Sequence, residues 1–305
     1  MATSIRSTAP YTYSVNTLQQ DIEKLANFFV DHPRLVVLTG AGISAPSGIP
    51  TYRDRHGAWQ HRSPIQEQAF LIDEQTRRRY WARSWYGWPL IRDALPNPAH
   101  HALASLEAQG RIELLITQNV DSLHQRAGSR NVLDLHGAVG RVRCLTCGAI
   151  HCRESIQEQL AGDNVWPTPA GHQPRPDGDM ETPDALLDHL VLPLCPLCGG
   201  DLKPDVVFFG GSVPRENVAS CHEALARADA LLAIGSSLMV FSGFRFCRLA
   251  AELGKPVALI NPGVTRADAL ACFKLSSLAG PLLTGTLNYL HKDTMRRPSA
   301  PGSPS

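Results

Sequence analysis

The sequence has almost no excess of charge of either sign. In 305 residues, 29 lysines and arginines stand against 28 aspartates and glutamates, which gives a formal net charge of +1. Proteins that bind nucleic acid usually carry a basic patch or a strongly positive domain. We therefore expect no direct nucleic-acid partner, and we interpret the run Arg77-Arg78-Arg79 as a solvated helix face.

Long apolar runs are missing as well. No run approaches the roughly 18 residues that indicate a membrane-spanning helix, and the first residues, MATSIRSTAPYTYS, lack the apolar segment of a signal peptide. These absences predict a protein in the cytoplasm without a membrane partner, and we also expect it to be a monomer. Because the cytosol keeps thiols reduced, the eight cysteines do not indicate a disulfide framework.

The sequence does contain short apolar runs that alternate with helical stretches. The runs lie at residues 35–38, 112–116, 132–135, 230–234 and 257–260. Continuous apolar strands that alternate with helices are typical of a parallel sheet covered on both faces. The pattern predicts an α/β fold, with a Rossmann-like parallel sheet and helices on both of its faces.

Two segments interrupt this pattern and predict insertions. Residues 56–95 hold many aromatic residues and few strand-like runs, which indicates a helical lobe. The second segment begins and ends with cysteine pairs, and its middle, 162–185, is a loop-like stretch rich in Pro, Gly and Asp. We expect a large domain (16–55, 96–140 and 204–290), the helical lobe (56–95), a small domain (141–203) and a disordered tail (291–305).

Small, polar or ionisable residues follow each of the five apolar runs. The runs lead into Thr39-Gly40-Ala41-Gly42, Thr117-Gln118-Asn119-Val120-Asp121, His136-Gly137, Gly235-Ser236-Ser237 and Asn261-Pro262-Gly263. In open α/β sheets, ligands bind beyond the carboxyl ends of the strands, so these clusters predict one common site. Ordinary turns also favour Gly, Asn and Ser. That alternative explains Gly263 well, and it explains Asp121 and His136 less well.

The first cluster resembles a dinucleotide-binding turn with an unusual continuation. Gly40-x-Gly42-x-x-Ala45 fits the relaxed fingerprint, but Pro46, Gly48 and Pro50 would disrupt the long helix of an NAD dehydrogenase. We expect a nucleotide-binding turn followed by a loop that closes over the nucleotide, where Arg53 would neutralise phosphate charge. A purely structural turn is the alternative.

Two cysteine pairs, Cys144-x-x-Cys147 and Cys195-x-x-Cys198, bracket the small domain. Four thiolates suit tetrahedral Zn²⁺, and a closed four-cysteine site is structural. The pairs therefore predict one structural zinc ion per chain. A redox role would need one reactive pair near a βαβ unit, which fits this arrangement poorly.

His136 is the candidate general base, because it follows a strand directly and precedes a glycine. A histidine chosen at random among the twelve in the chain would more often be structural. That interpretation is preferred for His100, His101 and His124, which lie in predicted helices.

Several of these stretches together resemble the sirtuins, which are NAD-dependent protein-lysine deacylases. The matching stretches are GAGISAPSGIPTYRDRHGAW (40–59), TQNVDSLHQRAG (117–128), LHG (135–137), the two cysteine pairs, KPDVVFFG (203–210), GSSLMV (235–240) and Asn261. Similarity to the class II, mitochondrial-type branch is suggested by RYWARSWYGWP (79–89), NPAHHAL (97–103), PDGD (176–179) and VFSGFRF (240–246).

The resemblance implies that NAD is consumed as a co-substrate. Asn119 would orient ribose and water, Asp121 would receive the nicotinamide carboxamide, and His136 would take a proton from the ribose hydroxyls. The acyl group of an acylated-lysine protein substrate would pass to ADP-ribose as nicotinamide leaves. The implied NAD contacts are Gly40, Ala41, Gly42, Ile43, Ser44, Tyr52, Arg53, Gln118, Asn119, Val120, Asp121, Gly235, Ser236, Ser237, Asn261, Pro262, Gly263 and Ala279.

The same resemblance implies a substrate groove. Phe208-Phe209 and Leu238-Met239-Val240 would clamp the substrate backbone as an added strand, although both phenylalanines could equally be core residues. The sequence departs from the family pattern in two places: Gly211 stands where an acidic residue is usual, and Phe241-Ser242-Gly243 follows GSSLMV where a proline is usual.

Alternative functions remain open at this point. A protein mono-ADP-ribosyltransferase would use the same ribose activation with a different acceptor, and a non-catalytic sensor would not need His136. A deacylase for acidic or longer acyl groups is a further alternative. In sirtuins that remove acidic acyl groups, a Tyr-x-x-Arg pair binds the distal carboxylate, and Tyr80 and Arg83 have that spacing. We prefer to interpret this pair as lobe packing.

Overall fold

The computed structural model describes residues 15–54, 58, 64–167 and 184–296. Most of the predicted Pro-rich loop (162–185) lies outside the described residues. The strands in chain order are β1 (Leu35–Thr39), β2 (Ile112–Thr117), β3 (Val132–Asp134), β4 (Gly137–Cys144), β5 (Ile150–Cys152), β6 (Leu202–Val206), β7 (Ala230–Ile234), β8 (Val257–Ile260) and β9 (Phe273–Leu275). The helices are α1 (Val15–Asp31), α2 (Glu67–Ile72), α3 (Glu74–Asp93), α4 (Pro98–Ala108), α5 (Leu123–Arg126), α6 (Arg153–Asp163), α7 (Arg215–Arg227), α8 (Phe241–Glu252) and α9 (Ala279–Arg296).

A six-stranded parallel sheet forms the large domain. Its strand order is β3-β2-β1-β7-β8-β9, and each neighbouring pair is parallel. The predicted α/β fold is therefore confirmed. Strand β9 was not predicted, because it spans only Phe273–Leu275 and has a lysine in its centre.

Helices cover both faces of this sheet, and the alternation of strand side chains separates the two cores. Leu35 and Val37 pack in one cluster with residues of α1, α4 and α9. Val36 and Leu38 pack in a second cluster with residues of α7 and α8. Successive side chains of a strand point to opposite faces, so a strand buried on both faces must be apolar at every position.

The helical lobe and the cysteine-bracketed segment share one hydrophobic core. Strands β5, β4 and β6 form a separate antiparallel sheet. Phe70 and Trp81 of the lobe pack in the same cluster as Val142, Leu160 and Leu202. The two insertions, which the sequence presents as separate segments, therefore form a single packed body in the structure.

The C-terminal helix is longer than the sequence indicated. Helix α9 runs to Arg296, so the prediction of disorder from residue 291 onward is wrong for 291–296. Leu290 is 2% exposed and holds the helix against the core, so the polar residues after it continue a helix that packing has already nucleated. Residues 297–305 lie outside the described residues. No helix in the described part of the chain has the length and apolar content to cross a membrane.

Replacing Leu232 by alanine should lower the free energy of unfolding by about 3 kcal/mol, because a buried leucine leaves a cavity when it is truncated. Leu232 lies in the central strand β7 and is fully buried. Urea unfolding followed by circular dichroism measures the change. Leu253→Ala is the matched control, since Leu253 is 46% exposed; equal losses in both variants would contradict this account of the core.

Candidate active site

A cleft of about 1230 Å³ lies at the carboxyl ends of the parallel strands. It is lined by the residues that follow β1, β2, β7 and β8, together with His136 after β3. All of the implied NAD contacts line this cleft except Ile43. The Ile43 side chain is 1% exposed and belongs to the core cluster of α1, α4 and α9. The structure therefore brings together nearly all of the polar residues that the sequence placed at strand ends.

The turn after β1 lies directly against the turn after β7. The Gly42 N–H donates to the Gly235 carbonyl oxygen at 2.8 Å, and the Gly40 N–H donates to Ile234 O at 3.1 Å. A Cβ atom on Gly42 would lie 2.8 Å from the Gly235 oxygen, and Gly235 itself has a φ of +62°. These glycines are thus required by the contact between the two turns, and the N–H groups of Gly40 and Gly42 are already used within the protein.

Two short 3-10 turns, Ala41–Ile43 and Ala45–Ser47, take the place of a long helix after the glycine turn. Pro46 lies within the second turn, and Gly48 ends it in the left-handed region with a φ of 87°. Asn97 fastens this segment, because its Nδ2 donates to the Ile43 carbonyl oxygen at 2.8 Å and to Ser47 Oγ at 2.9 Å. The arrangement differs from the helix that begins at the pyrophosphate in dehydrogenases.

Ser44 connects the two polar side chains that follow β2. Its hydroxyl donates to Asp121 Oδ2 at 2.7 Å and accepts from Asn119 Nδ2 at 3.0 Å. The Leu123 N–H donates to Asp121 Oδ1 at 2.9 Å. Burial raises the pKa of Asp121, although the hydrogen bonds from Leu123 and Ser44 oppose this shift. Asn119 and Asp121 are therefore held in fixed orientations at the edge of the cleft.

The hydrogen bonds of His136 define its tautomer. Nδ1 lies 2.9 Å from the Gln118 carbonyl oxygen; because a carbonyl oxygen can only accept, Nδ1 carries the proton. Nε2 therefore has the lone pair and accepts from Ser242 Oγ at 2.8 Å. Burial lowers the pKa of His136, which keeps the ring neutral. The Nε2 lone pair has the protonation state that a general base needs, and in this structure it is occupied by the Ser242 hydroxyl.

Ser242 is a contact of the base that the sequence did not identify. The sequence showed only that 241–243 depart from the family pattern. The hydroxyl reaches His136 because Ser242 lies in the first turn of α8. Gly243 follows it, and a Cβ there would lie 2.6 Å from Gln118 Oε1. The glycine in Ser-Gly is thus the sequence signal that α8 approaches the strand ends closely.

Two further histidines lie beneath the site. His100 and His124 are 0% and 1% exposed, and their rings are 4.8 Å apart between centroids. His100 Nε2 lies 3.5 Å from Ser44 Oγ, and His124 Nε2 lies 2.9 Å from Thr39 Oγ1. Burial lowers the pKa of His100 to about 4 and that of His124 to about 3. The preferred interpretation of both as structural agrees with this burial, but the sequence did not show that they support the floor of the site.

The two phenylalanines of the expected substrate groove lie at the cleft, and Phe208 has a packing role as well. Phe208 and Phe209 line the cleft, and Phe208 also packs against the lobe residues Phe70 and Tyr80, with ring centroids 5.1 and 5.3 Å away. The Phe208 N–H donates to Glu67 Oε2 at 3.1 Å. One side of the groove is thus held by the helical lobe.

Glu67 supplies a carboxylate beside Gly211, where the family pattern has an acidic residue. A Cβ atom on Gly211 would lie 3.0 Å from Glu67 Oε2. The same carboxylate pairs with Lys203 Nζ at 3.5 Å. An acidic side chain at position 211 would lie close to the negative charge of Glu67 and would be repelled by it. The position of Glu67 in the helical lobe therefore agrees with glycine at position 211.

Tyr80 and Arg83 differ in their position relative to the cleft. Tyr80 lines it, yet its ring is 5% exposed and packs with Phe70 and Trp81. Arg83 is 9% exposed and is not among the residues that line the cleft in the described part of the chain. This placement supports interpreting the pair as lobe packing.

The four predicted metal ligands form one cluster. The Sγ atoms of Cys144, Cys147, Cys195 and Cys198 all lie within 4.8 Å of one another, and Cys144 Sγ and Cys198 Sγ are 3.5 Å apart. Thiolates bound to one Zn²⁺ at about 2.3 Å lie about 3.8 Å from one another. The N–H groups of Thr146 and Cys147 donate to Cys144 Sγ at 3.4 Å, which stabilises a thiolate. The residues present therefore fit a structural zinc ion.

The structure thus combines a parallel sheet with a cleft at its strand ends, a histidine in that cleft and a four-cysteine cluster in an insertion. This combination is that of a nucleotide-binding α/β protein with a structural metal site. The model of the Sir2 family matches residues 40–242. The chain belongs to the Sir2 family.

Similar proteins cover nearly the full chain. "NAD-dependent protein deacetylase 2" of Bradyrhizobium diazoefficiens is 52% identical over 253 residues, which is 83% of this chain and 93% of that protein. "NAD-dependent protein deacylase Sirt4" of Drosophila melanogaster is 43% identical over 295 residues, or 94% and 95% of the two chains.

Solved structures show the same fold with ligands. A Sir2 homolog in complex with NAD has a TM-score of 0.68 and 32% identity, and the match covers 89% of this chain and 94% of that one. A Sir2 protein in complex with a p53 peptide and NAD⁺ has a TM-score of 0.67 and 26% identity, with 90% and 99% coverage. Similarity to the class II branch stays a prediction.

Replacing Cys144 by serine should release zinc and destabilise the insertion, because three thiolates cannot complete a tetrahedral structural site. Metal content by mass spectrometry and thermal unfolding measure the two effects. Cys152→Ser is the matched control, since Cys152 is exposed and lies outside the cluster. A Cys144→Ser protein that keeps one zinc per chain and its thermal stability would contradict the ligand assignment.

The buried histidines should make the protein less stable as the pH falls from about 6.5 to about 4. In this window the unfolded chain binds protons at His100 and His124, whereas the native state excludes them. Each histidine should contribute about 1.4 kcal/mol per pH unit to this loss. His124→Gln should therefore reduce the slope of unfolding free energy against pH by about one proton relative to the control His101→Gln, which changes an exposed histidine. Equal slopes in urea titrations of the two variants would show that His124 is protonated in the native state.

Proposed function

We propose that this protein is an NAD-dependent protein-lysine deacylase that transfers the acyl group of an acylated lysine to ADP-ribose and releases nicotinamide. The carrying observation is the neutral His136, whose Nε2 lone pair lies in the same cleft as Asn119 and Asp121. The names of the similar proteins, deacetylases and a deacylase, support the same activity. The NAD and peptide complexes of related structures support the two substrates.

The residues of the cleft have different roles according to their position. Asp121 and Asn119 are fixed by Ser44 and would hold the nicotinamide end of NAD, while 235–237 and 261–263 would hold the adenosine end. NAD would supply an activated glycosidic bond: the acyl oxygen would bond to the anomeric carbon as the bond to nicotinamide breaks and nicotinamide leaves. His136 Nε2 would then accept a proton from a ribose hydroxyl. For this step the ribose hydroxyl must replace the Ser242 hydroxyl as the hydrogen-bond donor to Nε2.

The groove between Phe208-Phe209 and Leu238–Val240 would receive the substrate backbone, since both segments line the cleft. A monomeric state and a location in the cytoplasm stay predictions.

His136→Ala should lower turnover of an acetyl-lysine peptide by about a thousandfold, because general-base catalysis contributes about 10²–10⁴ in rate. Nicotinamide release and acyl-ADP-ribose formation, followed by mass spectrometry, measure the loss. NAD affinity, measured by calorimetry, should change little, since the imidazole acts after binding. His101→Ala is the matched control, because His101 is the exposed neighbour of His100.

Retained turnover in His136→Ala would refute the assignment of the base. If the unaltered protein released no nicotinamide with acetyl-, succinyl- or long-chain acyl-lysine peptides, the deacylase proposal would be wrong. An ADP-ribose mass on protein, without deacylation, would instead favour the transferase.

A further inference from the structure

The cleft extends beyond the expected NAD contacts to a wall formed by the N-terminal parts of α7 and α8. Arg215, Val218, Ala219 and His222 line it from α7. Their spacing of three, four and seven residues places them on one face of that helix. From α8, Arg245 lines the same cleft, one helical turn beyond the Ser242 hydroxyl that contacts His136. We call Arg215, His222 and Arg245 the basic wall.

The arginines of the basic wall differ from most others in this part of the fold. Arg227 pairs with Glu113 at 2.6 Å, and Arg248 pairs with Glu252 at 3.2 Å. Among the described residues, neither Arg215 nor Arg245 forms an ion pair, and Arg245 Nε is buried without a hydrogen-bond partner. The Arg245 guanidinium lies 5.1 Å from the centre of the Phe241 ring. This ring therefore holds the guanidinium in place beside the cleft.

Arginine binds carboxylates through charge-assisted hydrogen bonds. The residues of α7 and α8 that line the cleft include no acidic side chain. Both helices also point their N-terminal ends toward this region, which adds favourable potential for an anion.

The wall lies beside the proposed substrate groove. The segment Phe208 to Val213 leads directly into α7, and Leu238 to Val240 leads directly into α8. Both segments line the same cleft as Arg215 and Arg245. A substrate between these edges would therefore pass the basic wall within the same cleft.

We propose that the basic wall is a binding site for a carboxylate carried by the substrate, with Arg245 as its main contact. This inference rests on the proposed deacylase function. The carboxylate has two possible sources in one substrate: an acidic residue near the acylated lysine, or an acidic acyl group. The site would make the enzyme selective for acidic substrates over neutral ones.

The test compares matched neutral and acidic substrates with the full-length protein. One set consists of acetyl-lysine peptides in which Glu or Gln is placed, one position at a time, at the two residues before and the two residues after the lysine. The other set is one peptide that carries succinyl-lysine or butyryl-lysine. Nicotinamide release gives kcat/KM, and calorimetry gives peptide affinity independently of turnover.

We expect an acidic member of at least one set to exceed its neutral partner in kcat/KM by about tenfold, the range of a charge-assisted hydrogen bond. The set that shows the preference identifies the source. Arg245→Gln should bring the acidic-to-neutral ratio close to one, and Arg245→Lys should keep part of it. Arg248→Gln is the matched control: Arg248 also packs on Phe241, at 5.5 Å, but does not line the cleft, so the ratio should be unchanged.

The absence of a preference in both sets, or a preference that persists in Arg245→Gln, would overturn the proposal. Acidic selectivity in peptide affinity without nicotinamide release would disprove deacylation and leave the carboxylate site standing. Turnover without any acidic selectivity would support deacylation and disprove the carboxylate site.

Discussion

The contact between the turns after β1 and β7 is the constraint on which the site depends. Neighbouring parallel strands end side by side, and here their backbones meet without any side chain between them, at Gly42 and Gly235. This contact fixes the start of the 3-10 segment, and that segment carries Ser44. Ser44 in turn holds Asn119 and Asp121. A Cβ at Gly42 or Gly235 would therefore move the polar side chains of the site along with the backbone.

The small domain supports the same site from the other side. Strand β4 begins at Gly137, directly after His136, and β6 ends at Val206, just before the Phe208-Phe209 segment. The Val207 N–H donates to the His136 carbonyl oxygen at 2.9 Å. At its other end, β4 finishes at Cys144, one of the cysteines of the cluster. The metal site thus fastens one end of a sheet whose other end carries the base and the substrate groove.

The sequence predicted the elements whose physics is local. Five strands followed from their continuous apolar runs, and the four cysteines followed from their spacing. Residues that meet at strand ends were also predictable, because parallel topology alone brings Asn119 and His136 together. The contacts made across the fold were not predictable, because nothing in the local pattern fixes how helices approach: the Ser242 hydroxyl on His136, Glu67 beside Gly211, and His100 beneath Ser44 all depend on tertiary packing. The end of α9 was missed because a polar composition does not show whether a helix is anchored upstream.

The shared core of the lobe and the small domain has a consequence for synthesis on the ribosome. Trp81 is 1% exposed because it packs in a cluster with Leu202, which the ribosome adds about 120 residues later. At a synthesis rate of about 5–20 residues per second, some 6–24 seconds pass between the synthesis of the aromatic lobe and that of the strand with which it packs. During that interval the nascent chain exposes the apolar face of α3. The four-cysteine cluster is complete only when Cys198 has been synthesised, shortly before β6, the last strand of the small sheet. Metal binding and burial of the apolar face of α3 can therefore occur at nearly the same time, which ends the period in which the lobe can aggregate.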